Sequence, residues 1–346
     1  MANVTIKEIA GALGVSRNTV SKVVNGKGGV LPETTRRIIE AALQMGYTKI
    51  GDETRRIAGV PAQETEAHRG NIAVVSAEAN TNYFWMNIIN GVSRTLTESG
   101  YGLLYMNLDY DQIQRGQLPR SILQENLEGI IVANVYHRGF LDALCRRPVP
   151  RVHYDMPVDC TAGDLRGDVI FSEGRSGIRT LVRMLAEKGR TRFGFIGDPK
   201  AALSICERWE GFLDGLEDCG LEPCQEFCFV DDRIGHYYTD RSVINILRRL
   251  TVFPDVFVCA NDSIALRVIN FLAAAGIAVP QTVAVTGYDG IAESLLVTPH
   301  LTTIRVDNEA IGRRLARQLL WRIQEGDRAC ETIRVEAELL VRESTP

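Results

Sequence analysis

Between Ser16 and Asn25 the sequence gathers hydrogen-bonding side chains at helical spacing. Arg17, Asn18, Ser21, Lys22 and Asn25 fall on one face, and Val20, Val23 and Val24 on the other. A major groove of DNA admits an α-helix, and its base edges are read by few side chains. There Arg17 or Lys22 could donate to guanine O6 and N7, and Asn18 could pair with adenine N6 and N7. Thr5, Ser16, Thr19, Ser21 and Asn25 are short enough to reach phosphates and fix the register. The same pattern also suits a solvated amphipathic helix in a small bundle.

A second group of polar residues lies at the ends of apolar runs. Asp155 follows Arg151–Tyr154, Asn261 and Asp262 follow Val256–Ala260, and Asp289 closes the run from Val283. Tyr83 and Phe84 lie beyond Ile72–Ser76 and offer aromatic faces to a sugar ring or planar base. Helix capping is the alternative use for the carboxylates. Asp262 is expected to cap a helix from Ser263, while Asn261 and Asp289 stay open between capping and ligand contact.

Eight cysteines suggest reduced, mostly buried thiols. The one cluster, Cys206, Cys219, Cys224 and Cys228 with His236, has separations of 13, 5, 4 and 8 residues and no paired C-x-x-C knuckle, so no metal is expected. There is no G-x-x-x-x-G-K-[ST], strand-linked G-x-G-x-x-G or H-E-x-x-H motif, and Gly174-Arg175-Ser176-Gly177 lacks the spacing of a nucleophile elbow. The expectation is a protein without cofactor and without catalysis.

The elements that must position these groups divide the chain in three. Residues 1–49 read as three short helices. Thr5 caps the first, with Ile6, Ile9, Ala10 and Leu13 inward and Gly14 as a left-handed stop. Ser16 caps the second, and Pro32 opens a third that packs Ile38, Ile39, Ala42 and Leu43 before stopping at Gly46. Two short helices joined by a tight Gly-containing turn make a helix-turn-helix. Residues 50–70 are polar, broken by Gly51, Gly59, Pro61 and Gly70, and read as a linker.

From 71 to 346, apolar strands alternate with helices. Nine strand candidates start at Ile72, Leu103, Gly129, Arg151, Asp168, Arg192, Val256, Val283 and Leu301, too many for one six-stranded sheet. Two doubly wound parallel-sheet subdomains are expected, with ligands beyond the carboxyl ends of their strands. The formal charge of −4 over 346 residues splits unevenly: the first 49 carry +4 and the rest −8. A basic head on an acidic body suits a nucleic-acid partner that the total conceals. No apolar run approaches the ~20 residues of a membrane span, and Met1–Gly14 has no signal-peptide core, so a cytoplasmic protein without membrane contact is expected.

The stretch Val4-Thr-Ile-Lys-Glu-Ile-Ala-Gly-Ala-Leu-Gly-Val-Ser-Arg-Asn-Thr-Val-Ser-Lys-Val-Val-Asn-Gly26 resembles the head of the lac repressor (LacI/GalR) family. The resemblance implies a bacterial transcriptional regulator, most often a repressor, that binds a pseudo-palindromic operator as a homodimer. It places base reading on Arg17, Asn18 and Lys22. It continues through 260–266, 279–289, 298–304 and 340–344, which implies a periplasmic-binding-protein-like body. Arg208, Asn261 and Asp289 match effector-contacting positions, and Tyr83, Phe84, Asp155 and Phe171 match pocket positions, for a small-molecule effector of sugar type. The linker departs from the family: Lys49-Ile50 stands where Pro-Asn is usual and no Leu follows, leaving Arg55, Arg56 and Ile57 as a substitute hinge. The implied lobes are 71–157 with 291–322, and 158–290 with 323–346. The rivals are a free sugar-binding transport protein, which would not need residues 1–49, and an enzyme on the same scaffold.

Overall fold

The computed structural model describes residues 4–26, 29–45, 47, 50, 54, 69–77, 83–124, 126–230, 240–326 and 328–346. The chain forms two units, 1–68 and 69–346. In the first, α1 spans Ile6–Leu13, α2 Arg17–Val24 and α3 Pro32–Gln44. Thr5 and Glu8 cap α1 reciprocally, and Gly14 ends it at φ 65°, a conformation a side chain would resist. Pro32 opens α3, which ends at Gln44 with Met45 as its cap; Gly46 lies outside the described residues. Ile9, Val20, Val23, Ile38, Ile39 and Ala42 form the core of this unit. Ile50 joins them at 5% exposure, so the packed head reaches into the segment expected to be linker. An apolar residue at that place is drawn into the core, where a polar one would stay in water.

The second unit runs, in chain order, β1 Asn71–Ala77, α4 Tyr83–Glu98, β2 Gly102–Leu108, α5 Tyr110–Gln114, α6 Arg120–Gln124, β3 Leu127–Ala133, α7 Arg138–Cys145, β4 Arg151–Tyr154 and β5 Asp168–Ser172. It continues with α8 Arg175–Glu187, β6 Phe193–Ile196, α9 Leu203–Asp218, α10 Asp240–Leu247, β7 Val256–Cys259, α11 Asp262–Ala274, β8 Ala284–Asp289 and β9 Thr302–Arg305. The chain closes with α12 Asn308–Glu325, β10 Thr332–Val335 and β11 Glu338–Leu340. One sheet has the order β10-β5-β4-β3-β1-β2 and is parallel throughout. The other, β11-β9-β8-β7-β6, is parallel except at β11. Fully buried strands such as β4, β5, β7 and β8 are what helices on both faces require.

Two corrections concern the division into lobes. The expected boundaries at 158, 291 and 323 place β5 and β10 with the second lobe and β9 with the first. Instead β5 and β10 belong to the first sheet and β9 to the second, so the chain changes sheet after β5, after β9 and between β10 and β11. Buried parallel strands look alike in sequence, and long-range contacts sort them. Asp168 at the start of β5 accepts from Gln318 Nε2 (2.7 Å) and Arg322 Nε (3.0 Å) of α12. The helix α12 in turn crosses α4 at Gly312, where a Cβ would stand 2.0 Å from the Ile88 carbonyl oxygen. β10 and β11 themselves escaped the strand pattern because they are short and mostly half-exposed or exposed.

Candidate nucleic-acid interface and effector cleft

In the head, Arg17, Asn18 and Lys22 are all exposed on one face of α2, while Val20, Val23 and Val24 fix its other face to the core. The short polar residues around them serve first as local structure. Ser16 Oγ accepts from the Thr19 amide (3.1 Å) and lies 2.7 Å from Thr19 Oγ1. Asn25 Nδ2 donates to the Ser21 carbonyl (2.8 Å) and to Ser21 Oγ (3.3 Å), folding back on its own helix. Thr5 Oγ1 donates to Glu8 Oε2 at 2.9 Å. The backbone amide of Thr5, helped by its hydroxyl, holds the Glu8 carboxyl below its ordinary value. Caps of this kind fix the ends of α1 and α2, so these residues help to position the exposed side chains of α2. Arg55, Arg56 and Ile57 lie outside the described residues.

The body gathers the second group at the carboxyl ends of β4, β7 and β8 and on the first turns of α9. Arg208, one turn after Ser204, is 6% exposed. Its Nη1 donates to the Ala260 carbonyl at 2.6 Å, its guanidinium stacks over Tyr288 at 3.6 Å, and Nη2 stands 3.8 Å from Asp289 Oδ1. Nε is buried without a partner. Burial opposes the charge, but Tyr288 and Asp289 outweigh it and keep the guanidinium above its ordinary pKa. Asp289 sits at φ 115° as β8 ends, a strained geometry for a non-glycine residue. Burial pushes its carboxyl up to about 7, although Arg208 pulls the other way. Near neutral pH this group therefore both donates and accepts, which suits a hydroxyl.

Asn261, not Asp262, is the cap of α11: Asn261 Oδ1 accepts from the Ile264 amide at 2.9 Å. Asp262 turns inward instead, accepting from Thr303 Oγ1 (2.5 Å) and the Ile291 amide (2.9 Å). Burial, with Asp289 nearby, raises its carboxyl to about 8. Asp155, at φ 66°, is engaged on both oxygens, by the Met156 amide (2.8 Å), Ser204 N (3.2 Å) and Oγ (2.6 Å), and Tyr136 OH (3.2 Å). Burial raises its carboxyl while the hydrogen bonds from Ser204 and Met156 hold it back.

The aromatic positions divide. Phe84 is buried core, set edge-on to Trp85 with centroids 5.0 Å apart, and the half-buried Trp85 packs at 5.7 Å against Tyr154. Phe171 is 3% exposed within the first sheet's core, under the Arg334 guanidinium at 5.4 Å. The side chain of Tyr83 lies outside those described. Trp85, Tyr136 and Ser204 were missed by the sequence reading. Only Ser204 had a signal there: it stands four residues before Arg208, on the same helical face. Among the described residues no group of His, Cys, Asp and Glu could hold a metal ion, and no helix is long and apolar enough to cross a membrane.

A helix presenting unburied hydrogen-bonding side chains, ahead of two parallel sheets whose strand ends converge on a polar cluster, is the arrangement of a DNA-binding transcriptional regulator. Residues 5–49 match the family described as bacterial regulatory proteins, lacI family, and residues 182–345 match the periplasmic binding protein-like domain. The chain thus joins a lacI-family helix-turn-helix domain to a periplasmic-binding-protein-like domain. The HTH-type transcriptional repressor PurR of Mannheimia succiniciproducens is 26% identical over 346 residues, covering 98% of each chain. A solved complex of the transcriptional regulator CelR with cellobiose is 25% identical, with a TM-score of 0.68 over 99% of this chain and 100% of that one. The lac repressor dimer bound to operator and the anti-inducer ONPF shares the fold, with a TM-score of 0.69 at 20% identity over 99% of both chains.

Proposed function

We propose that α2 enters the major groove of a pseudo-palindromic operator, with Arg17, Asn18 and Lys22 on base edges. Thr5, Ser16, Thr19, Ser21 and Asn25 anchor the approach to phosphates, and Arg55, Arg56 and Ile57 are assigned the role of hinge. Arg208, Asn261 and Asp289, with Asp155 and the half-buried Trp85 over the Phe84 core, hold a neutral sugar between the lobes, and Tyr83 is assigned to the same site. Phe171 packs in a different core cluster from Phe84 and is left out of that contact. The effector changes operator affinity by binding one arrangement of the lobes better than another. The protein works as a cytoplasmic regulator, not as a catalyst.

The observation that carries this reading is Arg208, a buried cation with an unpartnered Nε beside a carboxyl poised near neutrality. A relative's complex with cellobiose supports a sugar as the occupant. A thermal-shift screen of cellobiose, other sugars, sugar phosphates and nucleobases tests it. A ligand at 100 times its dissociation constant adds about 2.7 kcal/mol, and Arg208→Ala should erase that gain. A shift from nucleobases or phosphates alone contradicts the sugar reading.

A pseudo-palindromic site needs two heads, hence a homodimer. Leu295 and Leu296, 49% and 81% exposed, give the body an apolar surface that a second copy would cover. Leu296→Asp should shift the chain to monomer in sedimentation, and an unchanged dimer would remove this surface from the interface.

A further inference from the structure

We propose that Glu207 and Arg334 form a clasp across the hinge, biasing the two lobes toward the arrangement described and thereby positioning Arg208. The consequence for effector binding rests on the cleft reading above; the clasp itself does not.

Glu207 lies on α9, in the lobe of the second sheet, and Arg334 lies on β10, in the first sheet. Arg334 Nη2 donates to Glu207 Oε1 at 2.5 Å. The pair is unevenly exposed: the Glu207 side chain is 9% accessible and that of Arg334 51%. The other oxygen, Oε2, is buried and unpartnered. Burial, with Glu173 and Glu210 nearby, raises the Glu207 carboxyl above its ordinary value; Arg334 is the largest influence opposing this and the Gly174 amide the next. Arg334 therefore sustains a carboxylate that its surroundings otherwise disfavour.

The location makes the pair a clasp instead of a surface ornament. β10 pairs with β5 so that Arg334 stands opposite Phe171, two residues before the chain leaves the first sheet. Arg334 itself precedes the last crossing, between β10 and β11. At the first crossing, a Cβ on Gly174 would stand 2.9 Å from Arg208 Cγ and 3.3 Å from the Ser204 carbonyl oxygen. The first turns of α9 thus lie directly on the hinge. They are held from the cleft side too, by Asp155 on Ser204 and by the Met156 carbonyl accepting from the Leu203 amide at 2.9 Å. Removing Arg334 leaves a buried carboxylate whose readiest relief is water, and water reaches it when the lobes part.

Hydrogen exchange on the ligand-free full chain tests the clasp. In Arg334→Leu, amides of residues 202–208 should exchange about fivefold faster, while α1, α2 and β7 keep their rates. Arg334→Lys should stay near the parent protein. The double variant Glu207→Gln with Arg334→Leu should recover most of the slow exchange, because burying a neutral amide costs far less than burying an unpaired carboxylate. Unchanged exchange over 202–208 in Arg334→Leu overturns the proposal. So does a double variant as loose as Arg334→Leu alone, which would assign the effect to lost packing on Phe171. No effector enters this assay, so its outcome stands whichever way the sugar screen falls.

Discussion

The exposed face of α2 and the buried polar cluster around Arg208, the candidate effector cleft, employ the same residue types in opposite settings. On α2, Arg17, Asn18 and Lys22 face solvent and the neighbouring hydroxyls are spent on capping. In the cleft, Arg208, Asp289, Asn261 and Asp155 are each 5–7% exposed and bound to one another or to backbone. An open cationic face gains by displacing counterions from a polyanion, so its affinity belongs to the salt as much as to the protein. A buried, pre-oriented set gains by not having to reorganise, and discriminates among small neutral partners.

The widest separation between the two should appear with ionic strength. A dimer that neutralises six to ten phosphates loses about 10³-fold or more in operator affinity between 50 and 200 mM salt. Sugar binding at the cleft, followed by calorimetry over the same range, should stay flat. A steep salt dependence at the cleft would mean that its ligand is charged.

Next in size is Arg208→Ala. Stripping the partner from a buried carboxyl destabilises by roughly 3–5 kcal/mol when the group stays ionised, less here because Asp289 can protonate. Effector response should vanish while operator binding, measured by gel shift at low temperature, survives. Loss of both together would tie Arg208 to the general stability of the fold.

The two regions should also respond oppositely to pH. Asp289 and Asp262 titrate in the folded body at about 7 and about 8, above the value near 4 of an unfolded chain. The folded state then holds protons that the unfolded state has released. Their stabilisation is complete below about pH 4 and fades as pH rises through 7 and 8. Glu8 is displaced downward, so its contribution is present above its ordinary value and fades as pH falls. Calorimetric melting of the full chain from pH 5 to 8 should show the body transition falling, and Asp289→Asn should flatten that fall. An identical slope in the variant would exclude Asp289 as a source.

The smallest effect is expected at the caps. Ser16→Ala removes the acceptor for the Thr19 amide and should cost about 1 kcal/mol in the head alone. A change in effector response from this variant would show that capping does more than orient α2.

The contrast also explains what the sequence made legible. The head's exposed polar face occupies six consecutive residues of one helix, Arg17 to Lys22, with its caps and core at fixed offsets, so periodicity displays it. The cleft is assembled from Asp155, Arg208, Asn261 and Asp289, up to 134 positions apart, which only the sheet order brings together. Strands β1 to β9 announced themselves by apolar runs. Which sheet each joined did not, because that depends on contacts such as Asp168 with Arg322. Capping of α11 passed from Asp262 to Asn261 for the same reason: Asp262 is claimed by Thr303 and Ile291, neither near it in sequence. Ile50 entered the head core although its polar neighbours read as linker.

Operator recognition as proposed stands or falls with base reading by α2. In vitro selection from random duplexes, run in parallel with the full chain and with Arg17→Ala, tests it most directly. The parent protein should enrich a pseudo-palindrome. Arg17→Ala should lose about 1–3 kcal/mol of discrimination at one symmetric position in each half-site and keep the rest of the pattern. An unchanged pattern, or binding weakened equally for every sequence, would contradict base reading by Arg17.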